Sequence, residues 1–552
     1  MNITVTFPDN NKKSYPVSTP VGEVIKDFTP GDPSIPVVGG FVNNEITSLS
    51  FRLDINCSVR PVLLSSRDGV SMYRRSLCFL VSIASRILFP EKRLVIGHSL
   101  GKGYFYHYEH QKNIPQKDLE ALTEKMNELI RENLPIDQHH LSYQDAVSHF
   151  EKTREIDTAL LLKYKNEMKI RVLECAGFLD LFHTPLVPQT GMLKYFEIYP
   201  YTPGFILRYP PFNNPTTIAP FIDNPLLFSI YKEYKQWGKI LNIHCIGSLN
   251  EKIQTNQIQE FIDIAEALHH KKIVEIANRI TENHDKLCVI LIAGPSSSGK
   301  TTFAKRLSIQ LKVNGLSPVP VSIDDYFLPR IQTPVDADGK PDFENISALD
   351  TKKLNDHLVR LQNGEQVDIP VYDFVAGKPK EKGVPLKLTD TSVLVLEGIH
   401  GLNDELTCMI QPAAKFKIYV SALTQLNLDD HNRIPTTDVR LIRRIVRDHQ
   451  FRGHNALQTI RMWPSVRRGE DRNIFPFQNQ AEMAFNSSLD YELAVLKVYV
   501  EPLLKTIKPD DMEYHEARRL LAFLDNVIPV PPTWIPGQSL LREFIGDSTF
   551  SY

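Results

Sequence analysis

The chain has 552 residues, with 63 Lys and Arg against 65 Asp and Glu, for a formal net charge of −2. That length accommodates about two to four domains, each able to bury a core, and the balanced charge removes bulk electrostatics as a reason to bind nucleic acid. No uncharged apolar run is long enough to span a bilayer, so no membrane partner is expected.

The six cysteines (57, 78, 175, 245, 288 and 408) are scattered and form no CxxC pair. They indicate reduced thiols of an intracellular, cytoplasmic protein rather than a disulfide or zinc framework. In residues 1–67, ITVTF alternates, DNNKK turns, SYPVS starts a second strand, and Val21 to Phe28 can form one helix. The N-terminus therefore predicts strand and turn, not a signal peptide. This stretch resembles the TGS domain, a ubiquitin-like β-grasp module at the front of threonyl-tRNA synthetases. The resemblance implies a docking module that meets RNA or a protein surface and has no catalytic groups.

From 68 to 250 the pattern continues in the same vein. YRRSLCFLVSIASRILFP (73–90) is an amphipathic helix ended by Pro90, and RLVIGHSLGKGYFYHYEH predicts strand, turn and strand. LSYQDAVSHFEK and CAGFLDLFHTPLVPQTGMLKYFEI follow. This order is similar to the second additional domain of threonyl- and alanyl-tRNA synthetases. That domain edits mischarged tRNA with a His-x-x-x-His pair on its first helix and a later Cys and His. Here Arg75 and Phe79 stand at the helix positions. Phe182 and Leu186 stand at the later ones, with His183 displaced. Arginine and phenylalanine cannot do the work of imidazole or thiolate on a metal or a water, so the expectation is a scaffold without editing chemistry. His98, His107 and His110 are expected as satisfied core or surface groups. Residues 216–250 bridge. Gln254 to Asn283 predicts a helix with Phe261, Ile264, Ala265 and Leu268 on one face and His269-His270 on its polar side.

The last domain, 251–552, is built on LCVILIAGPSSSGKTT (287–302), an apolar strand ending in a glycine-rich loop and then a helix. That context makes a credible P-loop. Gly294 and Gly299 let the backbone wrap a phosphate, and the amides of Pro295-Ser296-Ser297-Ser298 and the helix start at Thr301 and Thr302 point at the anion. Proline itself contributes only its shape there, since it lacks an N–H. Lys300 supplies a mobile charge and the Thr301 hydroxyl a Mg²⁺ ligand. PVPVSIDDYFLPR ends a strand in Asp324-Asp325, and TSVLVLEGIHGL ends another in Glu397. In open parallel sheets, functional groups gather at such carboxyl ends. Arg440, Arg443, Arg444 and Arg447 recur at helical spacing, with Arg452 beyond. With only Asp438 and Asp448 close by, this cationic face points to phosphate contacts.

GPSSSGKT, SIDDYF, PVYDF, VLVLEGIHG and RLIRRIVRD occur in the order of the uridine kinase/phosphoribulokinase family, which this region resembles over roughly 285–455. The resemblance implies ATP- and Mg²⁺-dependent phosphoryl transfer to a small hydroxyl acceptor, foremost the 5′-hydroxyl of uridine or cytidine. It implies Asp324 as the base, Glu397 as the Mg²⁺-associated acid, and Arg444, Arg447 and Arg452 as a phosphate-gathering lid, with Lys300 and Arg447 in the catalytic set. Tyr326, Glu344, Tyr372 and Phe374 fall to the acceptor, Glu344 in place of the family's ribose-binding Asp. Gly377 and His454 depart from the pattern, which puts pyrimidine specificity in doubt. Assembly into a homo-oligomer through this domain is also implied. The alternatives are a kinase for a sugar, sugar phosphate or vitamin precursor, and an RNA-associated nucleotide-binding regulator whose front modules contact tRNA. The expected architecture is α/β: a C-terminal P-loop NTPase domain with a mostly parallel sheet, preceded by a β-grasp module and an α+β editing-like domain.

Overall fold

The structure is a computed structural model of the chain that describes residues 1–28, 34–284, 287, 289–335, 339, 341–373 and 376–551. At the front, strands Asn2–Thr6 and Lys12–Pro16 form a hairpin, and Cys57–Leu63 runs parallel to the first strand inside a five-stranded sheet. Alternation places Ile3 and Val5 on one face. There they share a core with Val21, Val24 and Ile25 of the short helix Val21–Lys26. This is the β-grasp arrangement.

The 22-residue helix α1 (Arg67–Leu88) follows directly. Ser66 caps it by accepting the Gly69 amide at 3.0 Å. Leu77, Leu80, Val81 and Ala84 of α1 share a core with Ile96, Tyr106 and Phe205. The last three belong to an antiparallel sheet ordered Glu197–Tyr201, Gly204–Arg208, Gly103–Tyr108, Leu94–Leu100. A second antiparallel sheet comprises Asp137–Ser142, Lys169–Cys175 and Phe178–Leu181.

The boundary expected at 250 falls inside helix Ile246–Gln254 and is no linker. Ile246 and Leu249 are buried in one core with Leu161, Ile442, Ile445 and Val446, so the front and back halves are fused by shared apolar packing. Helix α2 (Ile258–Thr281) leads on toward the P-loop strand. His269, expected on its polar side, is buried instead, with its ring 5.1 Å from Phe485 and Nε2 3.2 Å from the Ser488 carbonyl oxygen. The helix is covered there by the last strand of the following sheet.

That sheet is all parallel. Its strands are β1 (Val289–Ala293), β2 (Ser317–Ser322), β3 (Ser392–Glu397), β4 (Lys415–Ser421) and β5 (Met483–Asn486), in the order β2-β3-β1-β4-β5. The near-continuous apolar runs of β1, β3 and β4 suit strands covered on both faces. Helix α3 (Lys300–Val313) follows β1, and α4 (Thr351–Gln362) lies between β2 and β3 in sequence. After β4 come α5 (Thr436–Phe451) and α6 (Ala456–Asn473), and after β5 come α7 (Glu492–Leu504) and α8 (Tyr514–Leu524). The ends of the chain meet: His515 of α8 sets its ring 5.2 Å from Phe41, and Asn44 donates to the Pro509 carbonyl at 3.0 Å. No helix of the described residues is long and apolar enough to cross a membrane.

Candidate active site

The loop between β1 and α3 is shaped from behind. Arg440 donates to the Ser296 carbonyl at 3.0 Å, Arg443 to the Ser297 carbonyl at 3.3 Å, and the Ser487 hydroxyl to the Ser298 carbonyl. A trans peptide is planar, so a carbonyl held on one side turns the next residue's N–H to the other. The amides of Ser297 and Gly299 are thereby presented toward the mouth of the loop, while the Ser298 amide donates to the Pro295 carbonyl at 3.2 Å. Ser297 and Gly299 take positive φ, 58° and 81°. A Cβ at Gly294 would come within 1.9 Å of the Val420 carbonyl oxygen, so glycine is required there by the β4 backbone. In this state Lys300 Nζ donates to the Pro295 carbonyl at 3.3 Å.

Carboxyl groups converge on this mouth from the ends of two other strands. The Thr301 hydroxyl donates to Glu397 Oε2 at 3.2 Å. Burial, with the charges of Asp324 and Glu543 nearby, pushes the Glu397 carboxyl up to about 7 against the pull of Lys300. Asp324, just beyond β2, lies within electrostatic reach of Lys300, Asp325 and Arg452; burial raises its pKa and Lys300 opposes the rise. Glu344 is pushed up to about 7 by burial and by Glu470, with Arg444, Asp324 and Lys300 also acting on it. The bases that act on the set are Lys300, Arg444 and Arg452. An adjacent hydroxyl and carboxylate is the oxygen-donor chemistry that suits Mg²⁺.

The arginine helix α5 departs from expectation in part. Its apolar face, Val439, Leu441, Ile442, Ile445 and Val446, is fully buried, so the helix is core and not a mobile lid. Arg440 and Arg443 are also buried. They pair with Glu470 of α6 and Glu492 of α7, the second at 2.5 Å. The partners come from other helices rather than from i±4, which local spacing cannot show. Arg444 reaches the Ser296 hydroxyl at 2.7 Å, and Asp448 gathers Arg444, Arg447 and Arg452 at 3.2, 2.8 and 3.8 Å. These three remain beside the mouth.

Of the expected acceptor residues, Glu344 and Asp324 belong to the mouth. Tyr326 does not: its ring is buried and its hydroxyl lies 3.1 Å from His357 Nδ1, within the core beneath β2. Asp325 accepts the Tyr372 amide at 3.0 Å and so ties the Tyr372 segment to the end of β2. Phe374 lies outside the described residues. At Gly377, which has φ 67°, Arg330 packs over the bare Cα, and a Cβ there would meet its guanidinium at 3.0 Å. Ser487, Glu470 and Glu543 also act on the P-loop, from 174 or more residues away in the chain, where no local pattern in the sequence could reveal them.

The synthetase-like positions are engaged by the chain itself. Residues 422–432, between β4 and α5, are buried throughout. Asp429 meets His183 Nε2 at 2.5 Å, Asn432 accepts from Arg75 at 2.7 Å, and Asp430 pairs with Arg93 at 2.7 Å and accepts the Thr158 hydroxyl at 2.9 Å. His431 Nδ1 lies 3.2 Å from the Ser82 hydroxyl. His98, His107 and His110 stand as the core and surface groups expected: His98 bonds the Ser99 carbonyl at 2.9 Å, His107 stacks on Phe105 at 5.7 Å, and His110 is exposed. Among the described residues, Asp157, His244 and Cys245 have metal-like proximity. There Arg93 already holds Asp157 at 2.8 Å, and the Cys245 sulfur accepts the Ser248 amide as a helix cap.

Residues 289–494 match the Phosphoribulokinase / Uridine kinase family. The C-terminal half carries a domain of that family. The N-terminal region matches threonine–tRNA ligases. That of Desulforamulus reducens is 31% identical over 193 residues, 35% of this chain and 30% of the ligase, and that of Bordetella avium is 27% identical over 201 residues, 36% of this chain and 31% of the ligase. The chain thus spans less than a third of the length of these curated relatives. Two solved structures are similar to part of the chain. One, described as "a Possible Uridine Kinase from Bacillus stearothermophilus", is 20% identical over 36% of this chain and 89% of its own, with a TM-score of 0.25. The other, D-glycerate 3-kinase from Cryptococcus neoformans, is 14% identical over 49% of this chain and 87% of its own, with a TM-score of 0.20.

Proposed function

We propose that the C-terminal domain transfers the γ-phosphate of ATP to a hydroxyl of a small acceptor, foremost the 5′-hydroxyl of a nucleoside such as uridine or cytidine. The observation that carries this reading is the convergence of Lys300, Asp324 and Glu397 at one P-loop mouth, from the ends of three adjacent strands. The inward amides and Lys300 grip the triphosphate, and Asp324 orients the acceptor and takes its proton. Arg444, Arg447 and Arg452 gather the charge that develops on the transferred group. Thr301 and Glu397 would hold Mg²⁺, which when bound neutralises the β- and γ-phosphates. In this reading Glu344 would accept hydrogen bonds from acceptor hydroxyls and Tyr372 would flank the acceptor.

Gly377 and His454 stand where the family reads the base and adds a lid charge, so other small alcohols compete as acceptors: sugars, sugar phosphates and vitamin precursors. One screen tests the reading: ATP and Mg²⁺ with a panel of these alcohols, scored by ADP release. Acceptor-dependent release supports it; a panel that never exceeds the acceptor-free rate, at any member, counts against it.

The synthetase-like unit is read as a scaffold without editing activity, because Arg75 and Phe182 stand at its functional positions and Arg75 and His183 are engaged by Asn432 and Asp429. One observation favours a second reading, RNA contact. The cleft of about 2390 Å³ between the units is lined by the exposed Arg67 and Phe212 among others, with Arg67 5.4 Å from the Phe212 ring. Guanidinium and aromatic groups side by side suit single-stranded nucleic acid. Filter binding of tRNA across a salt series separates this reading from pure catalysis.

A further inference from the structure

The C-terminal tail reaches the P-loop. Leu540, Leu541, Phe544 and Ile545 are buried, and Phe544 lies under Arg443 at 5.0 Å, so the tail's backbone is fixed against α5. Leu540 packs on the P-loop glycine: a Cβ at Gly299 would meet its Cδ2 at 2.8 Å. Between these anchors the half-buried Glu543 turns its carboxylate into the first turn of α3. Its Oε2 accepts the Thr302 amide at 3.2 Å and the Thr302 hydroxyl at 2.7 Å. The first-turn amides of this helix are the donors that a P-loop offers to phosphate. An internal anion therefore already holds one of them.

The other carboxylate on the loop is of a different kind. Glu470 accepts the Ser296 amide at 3.0 Å but is fully buried between Arg440 and Arg467, so it belongs to the scaffold. Glu543 stands partly open at the mouth, close enough to Glu397 for their charges to interact. Its carboxylate can swing aside while Leu540 and Phe544 stay packed.

We propose that Glu543 is an affinity-determining residue of the nucleotide site: its carboxylate competes with a nucleotide phosphate for the amide and hydroxyl of Thr302. This rests on the P-loop reading above. Binding of ATP then requires two events, exchange of one anion for another at Thr302 and retreat of a like charge from the incoming phosphates. The competition is specific to phosphate. A ligand without phosphates gains nothing when Glu543 is removed.

The test is calorimetric titration of the full chain with MgATP and with adenosine, for wild type, E543Q and E543A. MgATP is expected to bind about tenfold more tightly to E543A, the scale of a lost charge-assisted hydrogen bond, with E543Q between the two and adenosine unchanged. Thermal melting runs beside it. Apo E543A melts below wild type because α3 loses a cap, yet ATP raises its melting temperature by more than it raises that of wild type. Should E543A not melt cooperatively, the isosteric E543Q decides. ATP affinity in the variants equal to or weaker than wild type overturns the proposal while leaving the P-loop reading intact. Absence of ATP binding in all three proteins overturns both.

Discussion

The pocket of the synthetase-like unit and the mouth of the P-loop both gather buried acids and bases, and they use them differently. In the first, Arg75, His183 and Arg93 each meet a partner on residues 429–432. In the second, Asp324, Glu344 and Glu397 all feel one lysine, and burial raises all three, with a neighbouring acid adding to each rise. Charges paired within the chain are structural, whereas buried acids with raised pKa values beside a P-loop mark a site that awaits a ligand. The same distinction divides α5. Arg440 and Arg443 are spent on Glu470, Glu492 and the P-loop carbonyls, and Arg444, Arg447 and Arg452 share the single Asp448.

Replacing the one lysine should do the most damage at the mouth. Lys300→Ala is expected to lose ATP binding and to reduce turnover by about 10³-fold, the cost of a preorganised charge in a phosphoryl-transfer site. ADP release and ATP titration measure it, and an active Lys300→Ala would erase the contrast drawn above. Asp324→Asn should spare ATP binding and lower turnover by about 10²- to 10⁴-fold, the range of a general base. Wild-type turnover in that variant would remove Asp324 from the chemistry.

The synthetase-like pocket should answer in stability instead. Asp429→Ala leaves His183 without its buried partner and the Asn432 amide without its acceptor, and is expected to cost roughly 3–5 kcal/mol, read from urea midpoints. Turnover of the folded fraction should fall less than in Asp324→Asn; the reverse order would show that the two pockets are not so distinct.

The smallest effect concerns pH. Glu397 and Glu344 have folded pKa values near 7, above their ordinary 4.5. Their protonated forms favour the fold. That contribution is complete below about 4.5 and fades as pH rises through about 7. The metal-free protein should therefore lose thermal stability from pH 5 to 8. Mg²⁺ favours the ionised carboxylate, so the melting temperature it adds should be larger at pH 8 than at pH 5.5 and smaller in Glu397→Gln. An equal gain at both pH values would speak against a cation held by Glu397.

What sequence could show tracks how local each signal is. The P-loop was legible because strand, glycines, lysine and helix lie within 287–302, and the ends of β2 and β3 carried Asp324 and Glu397 in plain view. The cationic face of α5 was legible as a face but not as a set of partners, since Glu470 and Glu492 lie 30 and 49 residues from the arginines they bind. Tyr326 was misplaced because a short 3₁₀ turn, Ile323–Tyr326, rotates its ring into the core while Asp324 stays toward the mouth. The front modules could be read one by one. Their fusion to the P-loop half could not, because its contacts join Arg75 to Asn432 and His183 to Asp429.

That fusion bears on how the protein is made. Arg75 and His183 leave the ribosome more than two hundred residues before the segment that closes over them, as their separations of 357 and 246 from Asn432 and Asp429 require. Until that segment emerges, the nascent front half carries an unfilled ionic socket. Truncated front halves should recruit chaperones or precipitate, and the finished polypeptide should unfold in one cooperative step rather than module by module.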